Sequence, residues 1–212
     1  MMRLTDNKIY IGGTKFSYIL DAETGRKIQS YPIGELVNPI DGTFYAMNNE
    51  KILAVDSKSG SVKWELQKTN PGAYTYPVVA NGSCFFGTSG GKLFAYDAET
   101  GKKKWERQFG EYNQGGFHQL ATENGMLFAS YMNGKMLAID QSTGNTQWES
   151  QMYNPDDISP WNFEVKGNFI YAWAINKVVA LDKQTGLKKW EKTMNSLFTR
   201  KPRVFDDTQL DL

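Results

Sequence analysis

Few side chains in this 212-residue sequence can do chemistry near neutral pH. His118, the only histidine, lies in Gly115-Gly116-Phe117-His118-Gln119. Its imidazole could act as a general base or contact a ligand. No Gly-x-Ser-x-Gly elbow or cysteine motif accompanies it, so as a base it lacks a nucleophile, and a loop or hydrogen-bonded structural histidine is the reading favoured over a catalytic one. Cys84 is the only cysteine, which excludes an internal disulfide and every CxxC zinc or redox motif. One histidine likewise excludes a multi-histidine metal site. Two carboxylate pairs, Asp156-Asp157 and Asp206-Asp207, suggest glycoside hydrolysis. That chemistry needs two carboxylates about 5–10 Å apart across a cleft. Neighbours on a strand point to opposite faces, so neither dipeptide is such a pair. The first sits in a loop before Ile158-Ser159-Pro160, and the second at a turn position.

A different set points to binding rather than catalysis. Tyr74, Tyr76, Phe117, His118, Gln119, Trp161, Arg200 and Lys201 each stand just ahead of, or at the start of, a short β-like run. Aromatic and arginine side chains are enriched at the centres of protein interfaces, and aromatic rings also stack on sugars. Three connecting stretches, 67–73, 109–114 and 152–157, lead toward the same positions. Loops on a rigid scaffold are the usual place for recognition.

The elements that must position these residues follow from an internal repeat. Asp21, Asp56, Asp97, Asp140 and Asp182 each follow a short apolar run, and each is followed four residues later by Gly25, Gly60, Gly101, Gly144 or Gly186. The spacings between the aspartates are 35, 41, 43 and 42 residues, the period of a four-stranded propeller blade. Aspartate opens a turn by accepting backbone N–H groups ahead of it. A Thr or Ser before the glycine can cap the turn, and glycine supplies positive φ. Eight residues after the last four aspartates come Trp64, Trp105, Trp148 and Trp190, each followed by glutamate. Four tryptophans in one repeat position predict one packing role, a flat group wedged between adjacent blades and burying about 150–250 Å². The first unit departs, with Gln29-Ser30 in place of Trp-Glu.

Two further β-like runs precede each apolar run, joined by Asp41-Gly42, Asn81-Gly82, Asn124-Gly125 or Lys166-Gly167. Such pairs are hairpin signals. The fold class expected is therefore all-β, a β-propeller of four-stranded antiparallel blades, one domain over 1–212. The first unit, read from Lys8, is short of its first strand, and residues 201–207 align with the first strand of a further unit. Five blades closed by the C-terminal strand are therefore predicted, which would leave no exposed sheet edge. A segment of a larger propeller stays open as the alternative.

The charges, 24 basic against 23 acidic, leave +1. That is too little for gripping a phosphate backbone, so no nucleic acid is expected as partner. No apolar stretch has the length of a membrane span or a signal peptide. A cytoplasmic location is expected, or a periplasmic one if the native N-terminus lies elsewhere. Lys102-Lys103-Lys104 and Lys188-Lys189 flank tryptophans on predicted outer strands, where lysine discourages edge-to-edge pairing.

The run Leu-Phe-Ala-Tyr-Asp-Ala-Glu-Thr-Gly-Lys-Lys-Lys-Trp-Glu at 93–106 resembles the repeat of pyrroloquinoline-quinone-like propellers, and the resemblance covers all five units. That family includes quinone-dependent alcohol dehydrogenases, the periplasmic propeller lipoprotein of the outer-membrane β-barrel assembly machinery, and many proteins without enzymatic activity. It therefore implies the fold more than an activity. Its enzymes hold the quinone with calcium, a catalytic Asp and often a disulfide of adjacent cysteines. This sequence has five repeats and no Cys-Cys pair, and its repeat aspartates are accounted for as turn formers. The expectation is a non-catalytic scaffold without cofactor or metal, monomeric by itself, of accessory, inhibitor or immunity type, binding a partner protein through one rim. A carbohydrate or small-molecule site, with or without hydrolytic activity, is the alternative, and a quinone oxidoreductase fragment the third.

Overall fold

The computed structural model describes residues 2–5, 7–13, 16–31, 35–40, 42–47, 51–59, 61–68, 75–110, 115–132, 134–153, 162–174 and 176–195. They form five four-stranded sheets. The first contains β1 (Met2–Thr5), β2 (Lys8–Gly12), β3 (Ser17–Asp21) and β4 (Lys27–Tyr31). The second contains β5 (Glu35–Ile40), β6 (Thr43–Met47), β7 (Lys51–Asp56) and β8 (Val62–Gln67). The third is built from β9 (Val78–Ala80), β10 (Ser83–Gly87), β11 (Lys92–Asp97) and β12 (Lys103–Gln108). The fourth comprises β13 (Phe117–Glu123), β14 (Met126–Tyr131), β15 (Lys135–Asp140) and β16 (Thr146–Gln151). The fifth comprises β17 (Asn162–Lys166), β18 (Phe169–Ala174), β19 (Lys177–Asp182) and β20 (Lys188–Thr193). Within each sheet the strands lie in chain order. Among the described residues no helix is long and apolar enough to cross a membrane.

One expectation needs correction. The first sheet already has its own first strand, because Met2–Thr5 pairs antiparallel with Lys8–Ile11. Between the two strands Asn7 takes a positive φ of 56°, which asparagine tolerates. The position assigned to the C-terminal tail is thus filled by the N-terminus. Residues 196–212, Arg200 and Lys201 among them, lie outside the described residues.

Local chemistry accounts for the hairpins. Asn81 and Gly82 adopt φ of 50° and 65°, and Asn124 and Gly125 adopt 47° and 79°. Two consecutive positive values make the turn whose twist matches the flanking strands. The second and third strands of each blade carry the core. β10 is buried along its whole length, and β7 and β15 are buried at their four central positions.

The chain divides into two compact units. One comprises 1–71, 81–85 and 95–104; the other comprises 72–80, 86–94 and 105–212. The first has a core of Tyr10, Ile19, Tyr31, Phe44, Ala46, Leu53 and Val55. Tyr10 and Tyr31 pack on Phe44 at 5.3 and 5.9 Å between ring centroids, so aromatic packing joins the first two sheets where the Trp of the repeat is missing. In the second unit Phe128, Met136, Met152, Phe163, Ile170 and Leu181 form the centre of the core.

Candidate functional site

Each repeat aspartate is consumed by its own turn. One carboxylate oxygen of Asp97 accepts the Thr100 N–H at 2.9 Å and the Thr100 hydroxyl at 2.8 Å. Asp21 binds Thr24, Asp56 binds Ser59 and Asp182 binds Thr185 in the same way. Asp140 adds the Ser142 hydroxyl to the pair from Thr143. Hydrogen bonds to the charged form hold all five carboxyls below the usual aspartate range. The hydroxyl of the Thr or Ser is the largest cause for Asp21, Asp97, Asp140 and Asp182, and the Ser59 N–H is the largest for Asp56. These carboxylates form turns and are not poised for proton transfer.

The residue after each aspartate is fixed by a second bond. The N–H of Ala98 donates to Gly82, that of Gln141 to Gly125 and that of Lys183 to Asn168. The carbonyls of these three residues then receive the indole N–H of the preceding blade's tryptophan. Trp64 donates to Ala98 and Trp105 to Gln141, both at 2.9 Å, and Trp148 donates to Lys183 at 3.2 Å. The ring packs against the turn glycine. A Cβ on Gly101, Gly144 or Gly186 would stand 2.7, 2.8 or 2.5 Å from the indole. The wedge expected from the sequence is therefore a clasp, in which one hydrogen bond and one glycine contact join consecutive blades. Gly60 lies outside the described residues.

The rim residues separate into two groups. Phe117 is buried, packed edge-on against Phe109 and Tyr131 at 5.4 and 5.2 Å. Gln119 spends its amide on the backbone of the next blade, donating to the Phe163 carbonyl at 2.9 Å and accepting the Phe163 N–H at 3.1 Å. Both are structural in the first instance. Tyr76 is 54% exposed and His118 is exposed, and both ride on pinned backbone. Thr75 next to Tyr76 donates its N–H to the Gly87 carbonyl, and Phe117 next to His118 donates its N–H to the Thr88 carbonyl. The two side chains thus stand on strand-entry segments tied to successive residues. A Cβ on Gly87 would meet the Phe117 side chain at 2.6 Å, so this crossing tolerates no larger residue at 87. Tyr74 and Trp161 lie outside the described residues. The hairpin alignment of the sequence placed Tyr76 and Gln119 at one level, with His118 one residue earlier. It offered no sign that Phe117 points inward or that Gln119 pairs with a neighbouring backbone.

Cys84 is buried, and desolvation pushes its thiol far above the usual cysteine range, so it is an inert packing residue. Among the described residues no three His, Cys, Asp or Glu side chains are grouped to hold a metal ion.

The repeat, the turn cage and the Trp clasp together define a family. The family model described as outer membrane protein assembly factor BamB matches residues 4–108 and 48–207. The chain belongs to this family. No curated protein matches the sequence significantly. BamB from Moraxella catarrhalis is similar in structure, with a TM-score of 0.67 and 20% identity over 90% of this chain and 60% of that one. Sqt1 from Saccharomyces cerevisiae reaches 0.74 at 12% identity over 90% of this chain and 59% of that one. The quinohemoprotein alcohol dehydrogenase from Comamonas testosteroni reaches 0.74 at 16% identity over 91% of this chain and 42% of that one. At these identities the likeness shows the propeller fold. The chain spans about 60% of the length of the Moraxella BamB structure.

Proposed function

We propose that this member of the BamB-like family is a non-catalytic scaffold that binds a partner protein through the strand-entry rim carrying Tyr76 and His118. The observation that carries the reading is the exposure of the Tyr76 ring, 54%, on backbone fixed by the bond from Thr75 to Gly87. A large side chain held ready before binding loses little entropy on docking. Tyrosine supplies apolar area and a hydroxyl together, the composition of an interface anchor.

The chemistry of the described residues supports a binding role. Each repeat aspartate is tied into a turn, and Cys84 is buried. The family's description as an assembly factor favours an accessory role in a protein complex over an inhibitor or immunity role. It also favours the periplasmic alternative for location.

Site-specific photo-crosslinking tests the reading. A benzoylphenylalanine in place of Tyr76 should give a discrete adduct with one polypeptide in the native cell, and the same group at Lys102 should not. Loss of that adduct on adding His118→Ala is expected. Equal labelling from both positions, or none from position 76, would overturn the proposal.

A further inference from the structure

The hairpins joining the first two strands of the blades have two-residue loops. In chain order these are Asp6-Asn7, Asp41-Gly42, Asn81-Gly82, Asn124-Gly125 and Gly167-Asn168. The third and fourth place an asparagine directly before a glycine. Both residues of each take positive φ, and Asn81, Gly82 and Asn124 are exposed.

The main-chain nitrogen that follows an asparagine can attack its side-chain amide. A bond forms from that nitrogen to Cγ, and the Cγ–Nδ2 bond breaks. The N–H proton leaves with the amide nitrogen as ammonia, and a five-membered succinimide remains. Water then opens one of its two imide C–N bonds. Opening at Cγ gives aspartate. Opening at the main-chain carbonyl gives isoaspartate, whose main chain runs through Cβ and Cγ. Nothing is oxidised or reduced, and water is the only co-reactant.

Two features leave the attack unhindered at these turns. Among the described residues the N–H groups of Gly82 and Gly125 make no hydrogen bond. Nothing described stands within 4 Å of where a Cβ on either would be. A third Asn-Gly pair, Asn133-Gly134, lacks both features. The Gly134 N–H is donated to the Tyr131 carbonyl at 3.1 Å, and a Cβ there would meet the Tyr153 carbonyl at 3.0 Å. Asn7, Asn145, Asn162, Asn168 and Asn176 each precede a strand residue that carries a side chain.

The clasp stands on these same glycines. The Gly82 carbonyl accepts the Ala98 N–H at 3.0 Å and the Lys104 ammonium at 2.8 Å. The Ala98 carbonyl in turn accepts the Tyr45 hydroxyl at 3.0 Å and the Trp64 indole at 2.9 Å. The Gly125 carbonyl accepts the Gln141 N–H at 3.0 Å, and Gln141 accepts the Trp105 indole at 2.9 Å. Isoaspartate adds one atom to the main chain of a two-residue loop, which displaces the glycine carbonyl. Aspartate adds none, and the same loop position is already aspartate at Asp6 and Asp41.

We propose that Asn81 and Asn124 are self-modifying deamidation sites, and that isoaspartate formed there releases the tryptophan clasp built on the turn glycine. The product is the class of residue methylated by S-adenosylmethionine-dependent isoaspartyl methyltransferases. Neither asparagine is a rim residue, so these sites stand apart from the proposed function.

Ageing the full chain tests this. The protein is incubated in mildly alkaline buffer, and its peptides are mapped by mass spectrometry with isoaspartyl methyltransferase labelling. Isoaspartate should accumulate at positions 81 and 124 at least about tenfold faster than at Asn133, Asn145 or Asn168. The melting temperature should fall as it accumulates, and treatment with the methyltransferase and S-adenosylmethionine should restore it. A blocked variant, Asn81→Gly/Gly82→Asn with Asn124→Gly/Gly125→Asn, takes the Gly-Asn order of the fifth blade's own loop. It should hold its melting temperature over the same incubation. Accumulation at Asn133 as fast as at 81 and 124, no isoaspartate at either site, or accumulation there with an unchanged melt would overturn the inference.

Discussion

The indole of Trp105 lies on Gly144, where a Cβ would come within 2.8 Å of the ring, and its N–H reaches the Gln141 carbonyl at 2.9 Å. One side chain thus reads three features of the next blade's turn: the missing Cβ, the positive φ that presents it, and a carbonyl fixed by the bond from Gln141 to Gly125. The conformation of one blade is in this way a condition for its junction with the one before.

Truncating this ring should therefore be costly where the clasp is made. Trp105 is 7% exposed, and Trp105→Ala removes buried area together with a satisfied donor. A loss of about 3–5 kcal/mol is expected. Trp190→Ala, on an exposed strand, should cost under about 1 kcal/mol. Urea unfolding of the two variants in dilute solution checks the ranking, and equal losses would show that the clasp contributes no stability.

The turn glycines supply a second comparison. Gly25 and Gly144 have φ of 67° and 73°, so alanine is strained at both. Of the two, Gly144 alone has an indole above it among the described residues. Gly25→Ala should cost about 1 kcal/mol, the backbone penalty alone. Gly144→Ala should cost clearly more, because the ring must move. Thermal melts of the two proteins measure the difference.

Acid stability follows from the same turns. The five aspartates have folded-state pKa values lowered mainly by hydroxyl and N–H donors in the turn. The unfolded chain therefore binds more protons in acid than the folded one. Their stabilising contribution is complete above the ordinary aspartate value of about 3.9. It is lost as pH falls through the lowered folded-state values. Melting temperature should be flat through the weakly acidic range and decline below about pH 4. Thr100→Val, which removes the main donor to Asp97, should move the Asp97 titration back toward the ordinary value, as read by carboxyl carbon NMR.

Much of this was legible in the sequence, because the repeat carries its own chemistry. Asp, Thr and Gly at fixed offsets demand one turn, and Asn-Gly demands one hairpin, so strand order followed. What escaped depended on neighbours distant in sequence. Met2–Thr5 carries no repeat signal, and the Asp6-Asn7 pair after it lacks the Asn-Gly pattern, so the sequence alone assigns its place to the tail. Trp190 is indistinguishable from Trp105 in sequence. Its exposure depends on whether a turn follows it in space. Phe117 and Gln119 stand with Tyr76 and His118 as rim residues in the sequence, and only the Tyr131 ring and the Phe163 backbone separate them.

The central claim, recognition through the rim of Tyr76 and His118, is tested most directly by affinity. The polypeptide crosslinked at position 76 would be purified and titrated by calorimetry against the wild type and against Tyr76→Ala/His118→Ala. Both residues are exposed, so the double variant should melt like the wild type and bind at least about tenfold more weakly, the loss of a single interface anchor. An unchanged dissociation constant for a correctly folded double variant would contradict the account.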